Sequence, residues 1–233
     1  MSEILKINNL WGGYKEGVDI LRGISMEVQQ GEAVGIIGLN GSGKSTFGKA
    51  IMNMIPIRKG EIIFEGEDIT SLTTNQLAHR GISIMQQGGK VFPNLSVWDN
   101  LQLAGRDSSL FTLHSSLQDI IPLLQRPKKE LQHLMADKLS GGQKHQLSLA
   151  MTLATSPRLV ILDEPSAGLS PKAVEEMYQI LHNLITKLNV TIILIEQNIA
   201  KAVDFCDQSV MIQQGIIKHV LSNDNIEQIM FNL

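Results

Sequence analysis

The sequence predicts an α/β fold: a mostly parallel core sheet covered by helices, an N-terminal antiparallel β subdomain and an inserted helical subdomain. Three observations predict it. A buried run, Ala33–Ile37, leads straight into a glycine-rich loop and then a helical pattern. Between roughly Val97 and Lys138 β-branched runs vanish, and Leu and Ile recur at helical spacing. After that stretch, short apolar strands alternate with amphipathic helices, the order that builds parallel sheets. We expect one domain over residues 1–233, with core and β subdomain in 1–90 and 156–233 and the helical subdomain in about 91–155.

The elements follow in order. Ile4–Ile7 and Ile24–Val28 read as strands, and Ala33–Ile37 as a third. A helix is expected from Lys44 through Phe47, Ile51 and Met52 to Met54, stopped by Pro56. Glu61–Phe64 with the turn Glu65-Gly66 and Ile82–Met85 read as further strands. Leu113, Leu117, Ile120, Ile121 and Leu124 carry the helical insertion. Leu159–Leu162 and Val190–Ile195 read as buried strands, Lys172–Leu188 and Ile199–Phe205 as helices, and Val210–Ile217 as a hairpin. A short helix is expected after Ser222, without a functional reading.

Bulk properties narrow the function. The 233 residues can bury a sizeable core, and 43% hydrophobic with 18% charged residues is ordinary for a folded chain. A net charge of -3 and a pI near 6.1 argue against non-specific nucleic-acid binding, which usually shows as a basic face, so no nucleic-acid partner is expected. One cysteine, Cys206, allows no internal disulfide and suits a reducing compartment. Met1–Lys6 lacks a basic-then-apolar layout, so no leader is expected, and Val190–Ile195 is far shorter than the roughly 20 residues of a membrane span. A membrane role is expected only through a partner.

Gly38-Leu39-Asn40-Gly41-Ser42-Gly43-Lys44-Ser45 meets the pattern G-x-x-x-x-G-K-[ST] between a strand and a helix. Gly38, Gly41 and Gly43 let backbone amides approach phosphate oxygens, and the helix start adds a positive dipole end. Lys44 supplies a point charge to the outer phosphates, and Ser45 offers a hard oxygen to Mg²⁺. Asn40, Ser42 and Thr46 complete the residues assigned to a nucleoside triphosphate, expected to be ATP. Arg158–Leu162 is a buried strand ending in Asp163-Glu164, where an α/β sheet collects ligands. Asp163 would hold Mg²⁺ and Glu164 would act as general base on the attacking water.

Between these two motifs stands Leu139-Ser140-Gly141-Gly142-Gln143, which resembles the signature sequence of ATP-binding-cassette (ABC) ATPases. Ser140 is a good N-cap, and the glycines leave amides open at a helix start. The resemblance covers essentially the whole chain and implies the P-loop NTPase (ABC ATPase) fold. It also implies that Ser140, Gly141, Gly142 and Gln143 contact the ATP held by a second cassette, so that two ATP molecules are clamped in a dimer. By the same resemblance Tyr14 stacks on adenine, with Trp11 as its rival. Gln87 is the Q-loop contact to Mg²⁺ and water, with Gln86 as runner-up, and Ser166–Pro171 is the D-loop.

Three positions depart from the common pattern. Gln197 stands where many relatives carry the switch His, Ser170 replaces the D-loop Asp, and Met151 replaces an Arg of the signature helix. Gly88, the segment Val91–Val97, Gly168-Leu169-Ser170-Pro171 and Glu196-Gln197-Asn198 resemble the ATPase subunits of branched-chain amino-acid and related amide or urea importers; Met151 and Lys144 do not follow that pattern. The resemblance implies ATP hydrolysis coupled to transport, with catalytic roles for Glu164, Gln197 and Gln87. It implies a second ABC ATPase subunit in a homo- or heterodimer, integral membrane permease subunits, and indirectly a solute-binding protein. The site of action would be the cytoplasmic face of the inner membrane, held peripherally through the permease. Phe92, Leu95, Val97 and Trp98 are either the docking surface or subdomain core. An ABC-type ATPase of a non-transport system, such as cluster assembly, is the alternative.

Overall fold

The computed structural model describes residues 2–105 and 117–221. In chain order it contains β1 (Glu3–Gly12), β2 (Leu21–Gln29), β3 (Ala33–Ile37), α1 (Lys44–Ile51), β4 (Ile57–Phe64), β5 (Glu67–Asp68), α2 (Thr74–His79), β6 (Ile82–Met85) and α3 (Val97–Ala104). These are followed by α4 (Lys128–His133), α5 (Gly141–Leu153), β7 (Leu159–Asp163), α6 (Pro171–Leu188), β8 (Thr191–Glu196), α7 (Ile199–Phe205), β9 (Gln208–Gln213) and β10 (Ile216–Leu221). Two compact units result, Met1–Leu77 with Val190–Leu233, and Ala78–Asn189. Leu113 and the helix expected after Ser222 lie outside the described residues.

The first unit holds an antiparallel sheet in the order β2-β1-β4-β5. Strand β1 runs well past the expected Ile7, because Asn9 takes a left-handed φ of 48° and absorbs a bulge. Its N–H goes to Ser25 Oγ at 2.8 Å, and the pairing with β2 resumes at Leu10↔Ile24. The same unit holds the strand order β10-β9-β3-β8. Here β3 lies parallel to both β8 and β9, and every residue of β3 and β8 is buried, as their near-continuous apolar composition requires. Gln214 and Gly215, both at positive φ, turn β9 back into β10, the two-residue geometry that matches strand twist. Helix α7 seals the end of β3 through Ala202 and Val203, buried with Ile37, Met211 and Leu221.

Helix α1 ends at Ile51, three residues before the expected Met54. The cause is Asn53, not Pro56. Asn53 sits at φ 49°, its N–H bonds Ala50 O at 2.9 Å and Met54 N–H bonds Lys49 O at 2.9 Å, a Schellman closure. The Asn53 amide then donates to the carbonyls of Ile69, Thr70 and Leu72, fastening the helix end to the next loop.

In the second unit β6 and β7 pair in parallel from Ile82↔Leu159 to Met85↔Leu162. The insertion is helical but in short pieces: α3, α4 and 3-10 turns at Pro122–Gln125 and Ala136–Lys138. Ser96 caps α3 by accepting from Asp99 N at 3.0 Å, and fully buried Asn100 ties the preceding loop by bonds to Phe92 and Ser96 backbone. Val97 and Trp98 are core, 0% and 7% exposed, with Lys128 Nζ 4.3 Å from the Trp98 ring. Of the four apolar residues weighed for docking, Phe92 alone is well exposed.

Candidate nucleotide site

Strand β3 delivers Gly38 at φ 149°, where a Cβ would lie 2.2 Å from Ile212 O, so only glycine lets the loop pass there. The loop closes on itself and on the hairpin: Ser42 N–H bonds Leu39 O at 3.2 Å and Gly215 N–H bonds Ser42 O at 2.9 Å. Gly43, at φ 110°, starts α1, and no side chain caps that helix. Its first-turn amides are therefore presented by backbone alone. Lys44 is 4% exposed and its ammonium donates to Gly38 O at 2.7 Å and Leu39 O at 3.0 Å. Ser42 Oγ is buried without a hydrogen-bond partner. A cation held by loop carbonyls, an unpaired hydroxyl and an uncapped helix start together form a cradle for an anion.

The same unit brings Gln197 to this cradle. Because Ile37 pairs with Glu196 in the β3–β8 register, Gln197 leaves β8 at the level where Gly38 leaves β3. The structure also separates the two aromatic candidates. Trp11 lies within β1 with its indole N–H bonded to Asn9 Oδ1 at 2.9 Å, whereas Tyr14 is 51% exposed after β1. Lys49 of α1 sits 5.6 Å from the Tyr14 ring.

In the second unit, β6 and β7 end side by side, so the residues after Met85 and Leu162 are neighbours. Gln87 Nε2 donates to Glu164 Oε2, while Gln86 turns to Lys90. Glu164 is 7% exposed and sits at φ 51°, a left-handed conformation costing about 1 kcal/mol for a residue with a Cβ. Asp163 is 4% exposed at the last position of β7.

Ser140 caps α5 in a full capping box: its Oγ accepts from Gln143 N at 3.3 Å, and Gln143 Oε1 accepts from Ser140 N at 3.0 Å. A Cβ on Gly141 would meet nothing within 4 Å, so the first turn of α5 is open to an approaching group. Ser170 caps α6 by accepting from Ala173 N at 3.5 Å, which accounts for its standing in place of Asp, an equally good cap. Both helix starts open on a cleft of about 600 Å³ that Arg126 and Gln146 also line. Sequence reading had not singled out these two; the available signal was that Gln146 lies three residues beyond Gln143, on the same helix face.

Known proteins resemble this chain along most of its length. The family profile for ABC transporters matches residues 21–167. The chain is 30% identical over 207 residues to the high-affinity branched-chain amino acid transport ATP-binding protein BraG of Pseudomonas aeruginosa, covering 88% of each chain. It is 32% identical over 216 residues to the probable branched-chain amino acid transport ATP-binding protein LivF of Archaeoglobus fulgidus, covering 91% of this chain and 89% of that one. The lipopolysaccharide export system ATP-binding protein LptB of Escherichia coli K12 is 28% identical over 242 residues, 97% of this chain and 95% of that one. A nucleotide-free ATP-binding cassette from an ABC transporter superposes with a TM-score of 0.84 at 26% identity, over 99% of this chain and 96% of that one. The chain belongs to the ABC transporter family and is its ATP-binding, ATP-hydrolysing subunit. Cassettes of this family pair with one another and work with membrane permease subunits. No helix among the described residues is long and apolar enough to cross a membrane.

Proposed function

We propose that the chain is the motor subunit of an importer for branched-chain amino acids or related small amides, working at the cytoplasmic face of the membrane as half of an ATP-clamped dimer. The observation that carries the catalytic part is the Gln87–Glu164 contact at the paired ends of β6 and β7. Glu164 accepts the proton of the attacking water, and Gln87 holds that carboxylate in place. Gly38, Asn40, Gly41, Ser42, Gly43, Lys44 and Thr46 bind the polyphosphate, Gln197 donates to its terminal group and Tyr14 stacks on the base. Ser140, Gly141, Gly142 and Gln143 serve the nucleotide of the second cassette.

The unpaired Ser42 hydroxyl and the uncapped start of α1 suit a bound polyphosphate. Ser45 in the first unit, and Asp163 and Gln87 in the second, each carry a hard oxygen of the kind Mg²⁺ prefers, and they are the residues that would hold it. When bound, Mg²⁺ would neutralise charge on the outer phosphates. ATP binding closes the dimer, hydrolysis opens it, and the permease alternates with that cycle. A solute-binding protein would deliver the solute on the far side.

The solute class rests on the likeness to BraG and LivF and on the Gly-Leu-Ser-Pro and Glu-Gln-Asn segments. LptB, at 28% identity, is named for a different cargo, so uptake decides. Deleting the gene should abolish uptake of labelled leucine, isoleucine and valine, or of urea and short amides. Unchanged uptake of all of them, with a chain that still hydrolyses ATP, would rule out this importer branch.

A further inference from the structure

Tyr14 stands on the segment that joins β1 to β2, residues 13–20, which belongs to neither strand. Val18 N–H bonds Lys15 O at 3.1 Å and Ile20 N–H bonds Gly12 O at 2.9 Å, so the segment doubles back on itself. Its far end lies against the phosphate loop. A Cβ on Gly43 would sit 3.6 Å from the side chains of Ile20 and Leu21, and Arg22 N–H bonds Gly215 O at 2.8 Å, the residue that also bonds Ser42. The exposed ring of Tyr14 is thus carried on a short turn beside the anion cradle, within one compact unit.

That turn is held by a side chain with no role so far. Arg58, in β4, comes to the end of β1 because Gly12 pairs with Ile57 and Trp11 with Lys59. Its guanidinium reaches three acceptors of the turn: Nη1 donates to Asp19 Oδ1 at 2.6 Å and to Val18 O at 3.2 Å, and Nη2 donates to Lys15 O. The charge pair itself is partly exposed, 22% and 31% for the two side chains, and contributes little as an ion pair. A planar fork engaging three oxygens at once fixes geometry instead, which a lysine ammonium cannot copy.

We propose that Arg58 is a positioning residue for nucleotide binding: it clamps the Lys15–Asp19 turn so that the Tyr14 ring is already in place for the base. Arg58 touches no nucleotide in this account. Without it the ring occupies the stacking position for a smaller fraction of the time, and the apparent affinity falls by that fraction. The proposal rests on the reading of Tyr14 as the residue that stacks on adenine, and it names what holds that residue.

The test is equilibrium binding by the full chain with Mg²⁺, using ATP and inorganic tripolyphosphate as the two probes. Tyr14→Ala should weaken ATP binding roughly tenfold, the size of one base-stacking contact, and leave tripolyphosphate unchanged. Arg58→Ala should weaken ATP by a similar factor, again with tripolyphosphate unchanged, which also shows the variant to be folded. Arg58→Lys should fall between Arg58→Ala and the wild type. Combining Tyr14→Ala with Arg58→Ala should cost no more than Tyr14→Ala alone, since the clamp acts through the ring. Wild-type ATP affinity in Arg58→Ala, with Tyr14→Ala weakened, would overturn the proposal while leaving the stacking reading intact. Equal loss of ATP and tripolyphosphate in Arg58→Ala would overturn it by showing that Arg58 supports the fold at large. Wild-type ATP affinity in Tyr14→Ala would remove the stacking reading, and the proposal with it.

Discussion

Gln197 leaves β8 beside the phosphate loop with Ile37 and Glu196 in register behind it. An amide there donates a hydrogen bond at any pH, whereas an imidazole would titrate near neutrality. Gln197→His should keep the assembled complex active but make its phosphate release fall or rise across about pH 6.5, where the wild type is flat. Complete loss of activity would show that the position tolerates only glutamine. At this scale the sequence was most informative where spacing alone fixes chemistry, as in Gly38–Ser45 and Asp163-Glu164. It ranked Gln87 ahead of Gln86 only through the resemblance, since both lie past the end of β6, and in the structure it is Gln87 that contacts Glu164. It put Tyr14 ahead of Trp11 without showing that β1 continues through an Asn9 bulge to take in Trp11.

Helix ends and the helical insertion mark where pattern reading stops short. The apolar spacing of α1 continues into Met52 and Met54, and Pro56 offers an obvious stop, yet the helix closes at Ile51. The deciding interactions are between Asn53 and the carbonyls of Ile69, Thr70 and Leu72, sixteen to nineteen residues away and invisible to a local window. Asn53→Ala should lower stability by about 2–3 kcal/mol, from lost hydrogen bonds and the left-handed backbone. A urea midpoint shift corresponding to less than about 0.5 kcal/mol would contradict that account, since ordinary surface changes fall in that range. In the insertion, Leu and Ile spacing correctly signals helical structure, but Pro122 and Pro127 break it into short pieces. Ser170 was legible as a departure from pattern and becomes ordinary once it is seen to cap α6.

Taken whole, the chain carries its phosphate loop and Gln197 in one compact unit, and Gln87, Asp163, Glu164 and the signature in the other. The parallel strands that end at these residues were readable from their unbroken apolar runs. The boundaries of the units were not, because a unit is defined by packing between segments far apart in sequence. In the proposed dimer the signature helix offers its open amides to the nucleotide of a second cassette. Hydrolysis should accordingly be weak in the isolated chain and strong in the assembled complex. The measurement that bears most directly on this is phosphate release by the complex carrying Glu164→Gln, alongside ATP binding by the same variant. Turnover should fall by about 10²–10⁴-fold, the usual contribution of a general base, with ATP still bound and the dimer trapped. Hydrolysis at the wild-type rate would remove Glu164 from the mechanism and contradict the account.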